Sequence, residues 1–318
     1  MSKLFVTGGA GFIGSNYVKW VLANTDDEVT VFDALTYVGN QDNLRDIADD
    51  RRYRFVQGDI TDRDAVLAAM AGHDLVVHFA AESHVDRSIV SPDEFVHTNC
   101  GGTNVVCDIA RQIGVERLLH ISTDEVYGSI DEGSFTESDL LAPRSPYSAS
   151  KAGSDLIALA YRDTYDLPVV VTRSSNNFGP YQFPEKVIPL FVTNLLDGHK
   201  VPLYGDGLNV RDWCFVEDNC AAVDLVLREG TEGEIYNIGA GNEITNRELT
   251  DRLLDLLGQD ESMIDYVEDR LGHDRRYSID TAKIEALGWS PRNDLAKALE
   301  ATVAWYRDNR WWWEPLRP

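Results

Sequence analysis

Four polar residues stand where a strand is predicted to end. The apolar run at residues 118–121 predicts a β-strand. Directly after it come Ser122, Thr123, Asp124 and Glu125. Ligands of open α/β sheets bind outside the carboxyl ends of the strands. A hydroxyl and two carboxylates at such an edge could hold a substrate, give it one proton and take another away. The alternative is an acidic pair that only caps a turn.

A tyrosine and a lysine lie one helical turn apart further along the chain. Tyr147 and Lys151 follow Pro146, which suits the first turn of a helix, and a helical pattern continues to about residue 165. Residues four apart share a helix face. A nearby ammonium group favours a phenolate and lowers the pKa of a tyrosine. Such a pair alone is common on helix surfaces, so it indicates catalysis only together with a cofactor site and the polar strand end.

A glycine-rich turn near the N-terminus predicts that cofactor site. The strand pattern Lys3–Thr7 runs into a turn that contains Gly8, Gly11, Phe12, Ile13 and Gly14, and a helical pattern follows. The glycines permit a tight turn and let backbone amides approach a pyrophosphate. A second strand pattern ends at Asp33, about 20 residues further on, where a carboxylate can bond a ribose 2′-hydroxyl. Because no arginine follows Asp33, NAD is favoured over NADP.

Two further strand ends are expected to border the same cofactor. The pattern at residues 53–57 leads to Asp59 and Ile60, which could lie beside an adenine. Asp59 could equally cap the next helix. The pattern at residues 75–79 leads to Ala80, Ala81 and Ser83, whose small side chains would let the cofactor pass closely.

Alternating strand and helix patterns up to residue 172 predict an α/β fold with a Rossmann-like, doubly wound, mostly parallel sheet. From about Arg173 the elements become shorter, which predicts a smaller α/β C-terminal lobe for the substrate. We therefore expect a NAD-binding domain at 1–172 that also receives about 213–240. The substrate lobe would comprise 173–212 and 241–318, with the tryptophan-rich end docked on it.

The charge balance restricts the possible partners. The 318 residues carry 53 acidic and 29 basic side chains, a net charge of −24 at pH 7. Such a surface repels nucleic acid and anionic membranes. No apolar run approaches the ~20 residues of a membrane helix. A protein adapted to a high-salt cytoplasm and an ordinary acidic enzyme both fit this composition.

Cysteine and histidine usage favours free thiols and no metal. The four cysteines form no C-x-x-C pair, which is typical of a reduced, cytoplasmic protein. The seven histidines show no metal-ligand spacing, so we predict no metal site.

A group of cations interrupts the acidic sequence near its end. The group consists of Arg270, His273, Arg275 and Arg276. A solvated charge run is the simple interpretation, but a pyrophosphate-bearing substrate would need a local positive site of this kind. We therefore predict an anion site here.

Taken together, these motifs resemble the extended short-chain dehydrogenase/reductase family, and within it the dTDP-glucose 4,6-dehydratases. The likeness extends over essentially the whole chain. The glycine turn and the Tyr147/Lys151 pair identify only the superfamily. The adjacent Asp124 and Glu125 are more specific, because similar sugar-nucleotide epimerases lack that pair. Other matching segments are AAESHVDRS at 80–88, NNFGPY at 176–181, PEK at 184–186, RDW at 211–213 and GHDRRY at 272–277.

The resemblance implies one reaction and a role for each catalytic residue. A sugar nucleotide is oxidised at C4 with tightly held NAD⁺, loses water across C5 and C6, and receives the hydride at C6. Tyr147, tuned by Lys151, would take the 4-hydroxyl proton, and Thr123 would position the 4-oxygen. Glu125 would remove the C5 proton, and Asp124 would protonate the leaving 6-hydroxyl. The product would be dTDP-4-keto-6-deoxyglucose.

The resemblance also implies a substrate site and an assembly. Matching motifs carry over ten substrate-binding residues: Ser83, Thr123, Asn176, Lys186, Pro202, Tyr204, Arg211, Asn246, Arg270 and His273. A homodimer is implied through the long helices predicted at 92–114 and 145–165. Three other functions stay open: a UDP-glucose 4,6-dehydratase, a UDP-sugar 4-epimerase and a redox-sensing module that only binds NAD.

Overall fold

The computed structural model describes residues 1–317. Its strands are β1 (Lys3–Thr7), β2 (Glu28–Asp33), β3 (Tyr53–Gln57), β4 (Leu75–His78), β5 (Arg117–Thr123), β6 (Val169–Ser174), β7 (Asn176–Phe178), β8 (Val201–Tyr204), β9 (Val210–Phe215), β10 (Ile235–Ile238), β11 (Glu243–Thr245) and β12 (Ile264–Val267). Its helices are α1 (Phe12–Asn24), α2 (Arg63–Met70), α3 (Val85–Val90), α4 (Pro92–Phe95), α5 (Thr103–Ile113), α6 (Pro146–Tyr165), α7 (Val187–Leu196), α8 (Val216–Glu229), α9 (Asn246–Leu257), α10 (Ala282–Ala286), α11 (Leu295–Asp308) and α12 (Arg310–Trp313).

Seven parallel strands form the central sheet in the order β10-β6-β5-β4-β1-β2-β3. Helices cover both faces, so the strands are apolar on both sides, and Leu118 and Leu119 of β5 are both fully buried. The expected α/β, doubly wound fold is confirmed. Because β5 lies near the point where the strand order reverses, its carboxyl end opens into the crevice where such folds bind ligands.

Two small sheets and four helices form the second lobe. Strands β11, β9 and β7 make one sheet, and β12 pairs with β8. Their apolar core also takes in α7, α9, α11 and α12. Helix α8 packs on α1, and β10 pairs with β6 in the central sheet.

One short segment differs from the expected division of the chain. Residues 282–289 fall within the stretch expected in the second lobe, but Ile284 and Trp289 are buried in the core of the first lobe. The Trp289 indole donates a hydrogen bond to the backbone oxygen of Asp218 at 3.2 Å, which anchors the segment against α8. This partner is 71 residues away, so local periodicity carries no sign of it.

The helix expected from residue 92 to 114 is interrupted. The chain forms α4, then a wide π-type turn at Val96–Gly102, and then α5, which ends at Gly114 with φ +76°. Such turns are frequent at functional sites.

Within the described residues, no helix is long and apolar enough to cross a membrane.

The tryptophan-rich tail is docked, as expected. Trp313 is fully buried and its indole donates to the backbone oxygen of Tyr306 at 2.7 Å. The Trp312 indole donates to Asn43 Oδ1 of the first lobe, also at 2.7 Å. Trp311, by contrast, is 47% exposed. The tail therefore completes one core and ties it to the other lobe.

We expect Trp313→Ala to lower the free energy of unfolding by about 3–5 kcal/mol, because it removes a large buried side chain and leaves a cavity. Trp311→Ala is the matched control and should stay within about 0.5 kcal/mol of wild type. Urea denaturation followed by circular dichroism measures both. Equal losses from the two variants would contradict a docked Trp313.

Candidate active site

A single hydroxyl organises the end of β5. Thr123 is the last residue of the strand, and a 3₁₀ turn, Asp124–Tyr127, follows it. The Glu125 amide donates to Thr123 Oγ1 at 3.2 Å, which caps the turn. The same hydroxyl donates to Asp124 Oδ1 at 3.2 Å. Thr123 therefore holds the Asp124 carboxyl and the backbone of Glu125 at the end of the strand.

Asp124 is a buried carboxyl with one free oxygen. The residue is 3% exposed, and its Oδ2 has no hydrogen-bond partner among the described residues. Burial, followed by the charge of Glu125, raises the pKa of Asp124 to about 8. The group is therefore largely protonated at neutral pH and can donate a proton.

Glu125 lies in a different environment although it is the next residue. Burial raises the pKa of Glu125 above its usual range, but Arg270, Arg211 and Lys186 oppose that shift. These cations stabilise the ionised carboxylate. Two carboxyl groups in different environments are a common arrangement for an acid and a base.

Tyr147 and Lys151 face this turn from α6. Ser145 caps the helix in a reciprocal capping box, and Pro146 occupies its first turn. Lys151 Nζ donates to the Ile121 backbone oxygen of β5 at 2.7 Å, so the helix is tied to the strand beside the site.

The expected lowering of the tyrosine pKa is not what the structure gives. Burial, with the Glu125 charge adding to it, raises the pKa of Tyr147 above its usual range, and a hydrogen bond with Thr123 only partly offsets this. Burial also lowers the pKa of Lys151 to about 8. Desolvation outweighs the attraction between the two groups because both are almost completely buried.

A cleft of about 1330 Å³, including its open mouth, lies beside Tyr147 and Lys151. All thirteen residues predicted to bind the cofactor line it: Gly8, Gly11, Phe12, Ile13, Gly14, Asp33, Asp59, Ile60, Ala80, Ala81, Ser83, Tyr147 and Lys151. Gly8 has φ +69°, and a Cβ there would lie 2.6 Å from the Ala80 nitrogen. Only glycine therefore allows the two strand ends to approach each other so closely.

The acidic residue at the end of β2 is held ready for a ribose. The amide of Ala10 donates to Asp33 Oδ2 at 2.9 Å, and the amide of Leu35 donates to Oδ1 at 2.8 Å. Each oxygen keeps a lone pair for a further donor. The glycine turn and this carboxylate together fit a dinucleotide such as NAD.

Three predicted substrate-binding cations gather around Glu125. Lys186 Nζ donates to the Ser83 backbone oxygen at 2.8 Å, which joins the second lobe to the cofactor cleft. The Arg211 guanidinium donates to the Asp274 backbone oxygen at 2.9 Å. The side chain of Arg270 is only 20% exposed, and its ion pair with Asp86 is long, at 3.9 Å. The three form a local positive region in a strongly acidic protein.

The other predicted substrate residues, apart from Ser83 and Thr123, lie on the second lobe. Tyr204 and His273 pack edge to face with ring centroids 6.3 Å apart. Asn176 begins β7, and its buried Oδ1 has no partner within the described chain. Pro202 lies on β8, and the amide of Asn246, at the start of α9, donates to the Asn209 backbone oxygen.

Half of the predicted basic cluster is neutralised elsewhere. Arg275 forms an exposed ion pair with Asp206 at 2.9 Å, and Arg276 forms one with Glu243 at 2.8 Å. The prediction of an anion site from four adjacent cations was therefore too broad. Only Arg270 and His273 remain near the other site residues.

Some residues of the site escaped prediction. Asn99, in the π-type turn, bonds both the amide and the carbonyl of Glu82 at 2.8 and 3.0 Å and so shapes the loop at 80–83. Gln182 enters the cofactor cleft from the second lobe and donates to the Asn177 backbone oxygen. Each depends on a contact made in space, and a single polar residue in a sequence gives no sign of it.

Comparisons with known proteins agree with this geometry. The GDP-mannose 4,6 dehydratase family matches residues 5–302. A dTDP-glucose 4,6-dehydratase from Streptomyces antibioticus is 57% identical over 322 residues, which cover 99% of this chain and 95% of the relative. The low-salt glycan biosynthesis protein Agl12 from Haloferax volcanii is 55% identical over 303 residues, 95% of this chain and 98% of the relative.

A solved structure is also very similar. DesIV from Streptomyces venezuelae, a dTDP-glucose 4,6-dehydratase crystallised with NAD and dTDP, superposes with a TM-score of 0.98. It is 57% identical, and the match covers 99% of this chain and 100% of DesIV. From these matches and the site's geometry, the chain belongs to the GDP-mannose 4,6 dehydratase family, in its dTDP-glucose 4,6-dehydratase branch.

Proposed function

We propose that this chain is a cytoplasmic, NAD-dependent dTDP-glucose 4,6-dehydratase that forms dTDP-4-keto-6-deoxyglucose and water. The observation that carries the proposal is the pair Asp124 and Glu125, which offers a protonated carboxyl and an ionisable carboxylate in one turn. Loss of water across C5 and C6 requires both an acid and a base. Free cysteines at all four positions fit a reducing compartment.

Tyr147 and Thr123 handle the proton at the sugar 4-oxygen. Bound NAD⁺ supplies the hydride acceptor for C4 and returns the hydride within the same turnover. Tyr147 takes the 4-hydroxyl proton while the Thr123 hydroxyl orients the oxygen. Lys151, when charged, favours the phenolate form of Tyr147. Burial of these groups excludes water, which strengthens each of the electrostatic interactions.

Glu125 and Asp124 divide the elimination between them. A ketone at C4 acidifies the neighbouring C5 hydrogen, and the Glu125 carboxylate takes it as a proton. Asp124, neutral at pH 7, gives its proton to the 6-hydroxyl, so that the oxygen leaves as water. Glu125 then returns its proton to C5 when the hydride reaches C6. The proton that Tyr147 took from the 4-hydroxyl replaces the one that Asp124 gave to the leaving oxygen, so all three groups return to their starting forms.

The nucleotide preference rests on the relatives. Two of them are dTDP-glucose 4,6-dehydratases by name, and DesIV was crystallised with a thymidine nucleotide. Lys186, Arg211 and Arg270 provide charge for a diphosphate, which thymidine and uridine nucleotides share. These cations do not distinguish the two nucleotides. A UDP-glucose 4,6-dehydratase and a UDP-sugar 4-epimerase are therefore the alternatives that an assay must separate.

Incubation of the purified protein with dTDP-glucose in D₂O should give a product that has lost water. Its mass should be 18 units lower before the isotope is counted, and it should carry deuterium at C5. The exchange is expected because Glu125 removes and restores the C5 proton. Mass spectrometry and proton NMR follow both changes. UDP-glucose is the parallel substrate. A galactose nucleotide formed without loss of water would show an epimerase, and NAD binding without turnover of either sugar would show a binding module.

Glu125→Gln and Asp124→Asn should each lower kcat by ~10²–10⁴, because each removes one proton transfer while its shape is kept. Both variants should retain NAD and substrate binding, which isothermal titration calorimetry measures. Glu132→Gln, a change at an exposed carboxylate in the loop after this turn, is the control and should keep wild-type turnover. Wild-type turnover in either active-site variant would refute the role assigned to that residue.

We also propose that the chain forms a homodimer through α6 and the neighbouring π-type turn. Three apolar residues on α6 face outward, namely Ala149, Leu156 and Ala160. Leu156 is 59% exposed, and Val96 on the adjacent turn is 55% exposed. An unpartnered apolar stripe on a long helix supports an interface with a second copy.

Leu156→Glu should convert the dimer to a monomer, because it places two like charges where the symmetric helices meet. Sedimentation equilibrium gives the mass of each form. Leu256→Glu changes an exposed leucine on α9 in the second lobe and should leave the dimer intact. A monomeric wild-type protein, or an unaltered mass for Leu156→Glu, would contradict the proposed interface.

A further inference from the structure

A closed polar cluster lies beneath the catalytic face of α6. Asp155 is fully buried, as is His120 of β5, and Arg173 of β6 is 2% exposed. Arg173 Nε donates to Asp155 Oδ2 at 3.0 Å. His120 Nε2 lies 3.3 Å from Asp155 Oδ1. A single carboxylate therefore joins the helix to the two central strands that flank the site.

Asp155 belongs to the same helical face as the catalytic pair. Tyr147, Lys151 and Asp155 follow one another at intervals of four residues, so they are stacked along α6. Lys151 reaches β5 through its bond to Ile121, and Asp155 reaches the same strand through the preceding residue, His120. The two contacts set how α6 lies against β5 and hence where Tyr147 points.

One carboxylate, Asp155, faces two cations in this cluster. Asp155 faces Arg173 and His120 from the sheet and Lys151 from its own helix. Burial tends to raise the pKa of Asp155, but these three groups outweigh burial and hold the pKa below its ordinary value. Burial, Lys151 and Arg173 lower the pKa of His120, so the imidazole is neutral at pH 7.

We propose that Asp155 is a positioning residue that keeps Lys151 cationic and holds α6 in register with β5. Lys151 is buried and has no direct carboxylate partner among the described residues, so a cation there needs a negative charge close by. Asp155 supplies that charge from one turn away. The ion pair with Arg173 and the proximity of His120 favour the ionised carboxylate. Asp155 itself is sealed from the cleft and does not touch the substrate.

The other titratable groups around Lys151 do not replace Asp155. Cys100 from the π-type turn is the only other group that raises the pKa of Lys151, and its influence is the smaller of the two. His78 of β4 lies behind His120, with ring centroids 5.4 Å apart. His78 bonds Thr7 and Thr103 at 2.7 and 3.0 Å, and burial lowers its pKa well below the usual value. It is therefore neutral.

The test measures the titration of Lys151 directly and needs no turnover. The chain has only seven lysines, so competitive labelling with acetic anhydride across a pH series can be resolved for each by peptide mass spectrometry. In wild type the labelling midpoint of Lys151 should lie near pH 8. In Asp155→Asn it should move down by about one pH unit or more, because an opposite charge nearby contributes shifts of that size.

Two further variants separate charge from folding. Asp155→Glu keeps the charge and should keep the Lys151 midpoint near the wild-type value. The double variant Asp155→Asn/Arg173→Gln also removes the Arg173 cation that the single variant leaves unpaired, so it should fold better than the single variant while its Lys151 midpoint stays low. Asp224→Asn removes another buried carboxylate, which pairs with Arg228 at 2.7 Å on α8, and should lower Tm without moving the Lys151 midpoint.

The role of Lys151 rests on the proposed function. The outcomes nevertheless test this inference and that function separately. A Lys151 midpoint that is the same in wild type and in the folded double variant would overturn the inference, whatever the enzyme's activity. A shifted midpoint supports it. If wild type dehydrates dTDP-glucose, kcat of the double variant should also fall at least tenfold at pH 8 with KM unchanged. An inactive wild type with a shifted midpoint would refute only the function.

Discussion

The removal of polar groups from water at the carboxyl end of β5 is the constraint on which the site depends. Strand β5 lies between β4 and β6, so its backbone groups are paired in the sheet and only side chains need partners there. A carboxyl group in such a place is more stable as the neutral acid, whereas a lysine is more stable as the neutral amine. Asp124 follows this tendency, and its raised pKa suits a proton donor. Lys151 is pulled in the same direction but has Asp155 one turn away to oppose it.

The second lobe supplies the three cations that lie beside Glu125. The chain carries a net charge of −24, and most arginines on its surface are paired with carboxylates. Lys186, Arg211 and Arg270 are different, because they lie next to Glu125 and are largely shielded from solvent. A negatively charged ligand drawn to these cations would arrive beside Glu125 and Asp124. Because the surface elsewhere is acidic, the difference in electrostatic potential between the site and the rest of the molecule is larger.

Sequence patterns identified those parts of the site that depend on neighbours in the chain. The glycine turn, Asp33 and the Tyr147/Lys151 spacing act within one βα unit or one helix, so their geometry follows from the local conformation. Residues that depend on distant partners were not predictable in this way. Trp289 packs against α8, 71 residues away, and Asn99 clamps a loop from inside a distorted helix. The raised pKa of Tyr147 was missed for a related reason, since burial is a property of the whole fold and spacing reports only on the nearby ammonium group.

Asp124 and Glu125 are adjacent in the chain, but the turn sends them into different surroundings. In an extended strand, side chains alternate between the two faces of the sheet, but a 3₁₀ turn rotates successive residues by about 120°. Thr123 ends the strand and begins that turn, so Asp124 is directed into the protein and Glu125 toward the cations of the second lobe. The negative charge of Glu125 then adds to burial in raising the pKa of Asp124. The Thr123 hydroxyl bonds the Asp124 carboxyl and the Glu125 amide. It therefore links the positions of both residues to the end of the strand.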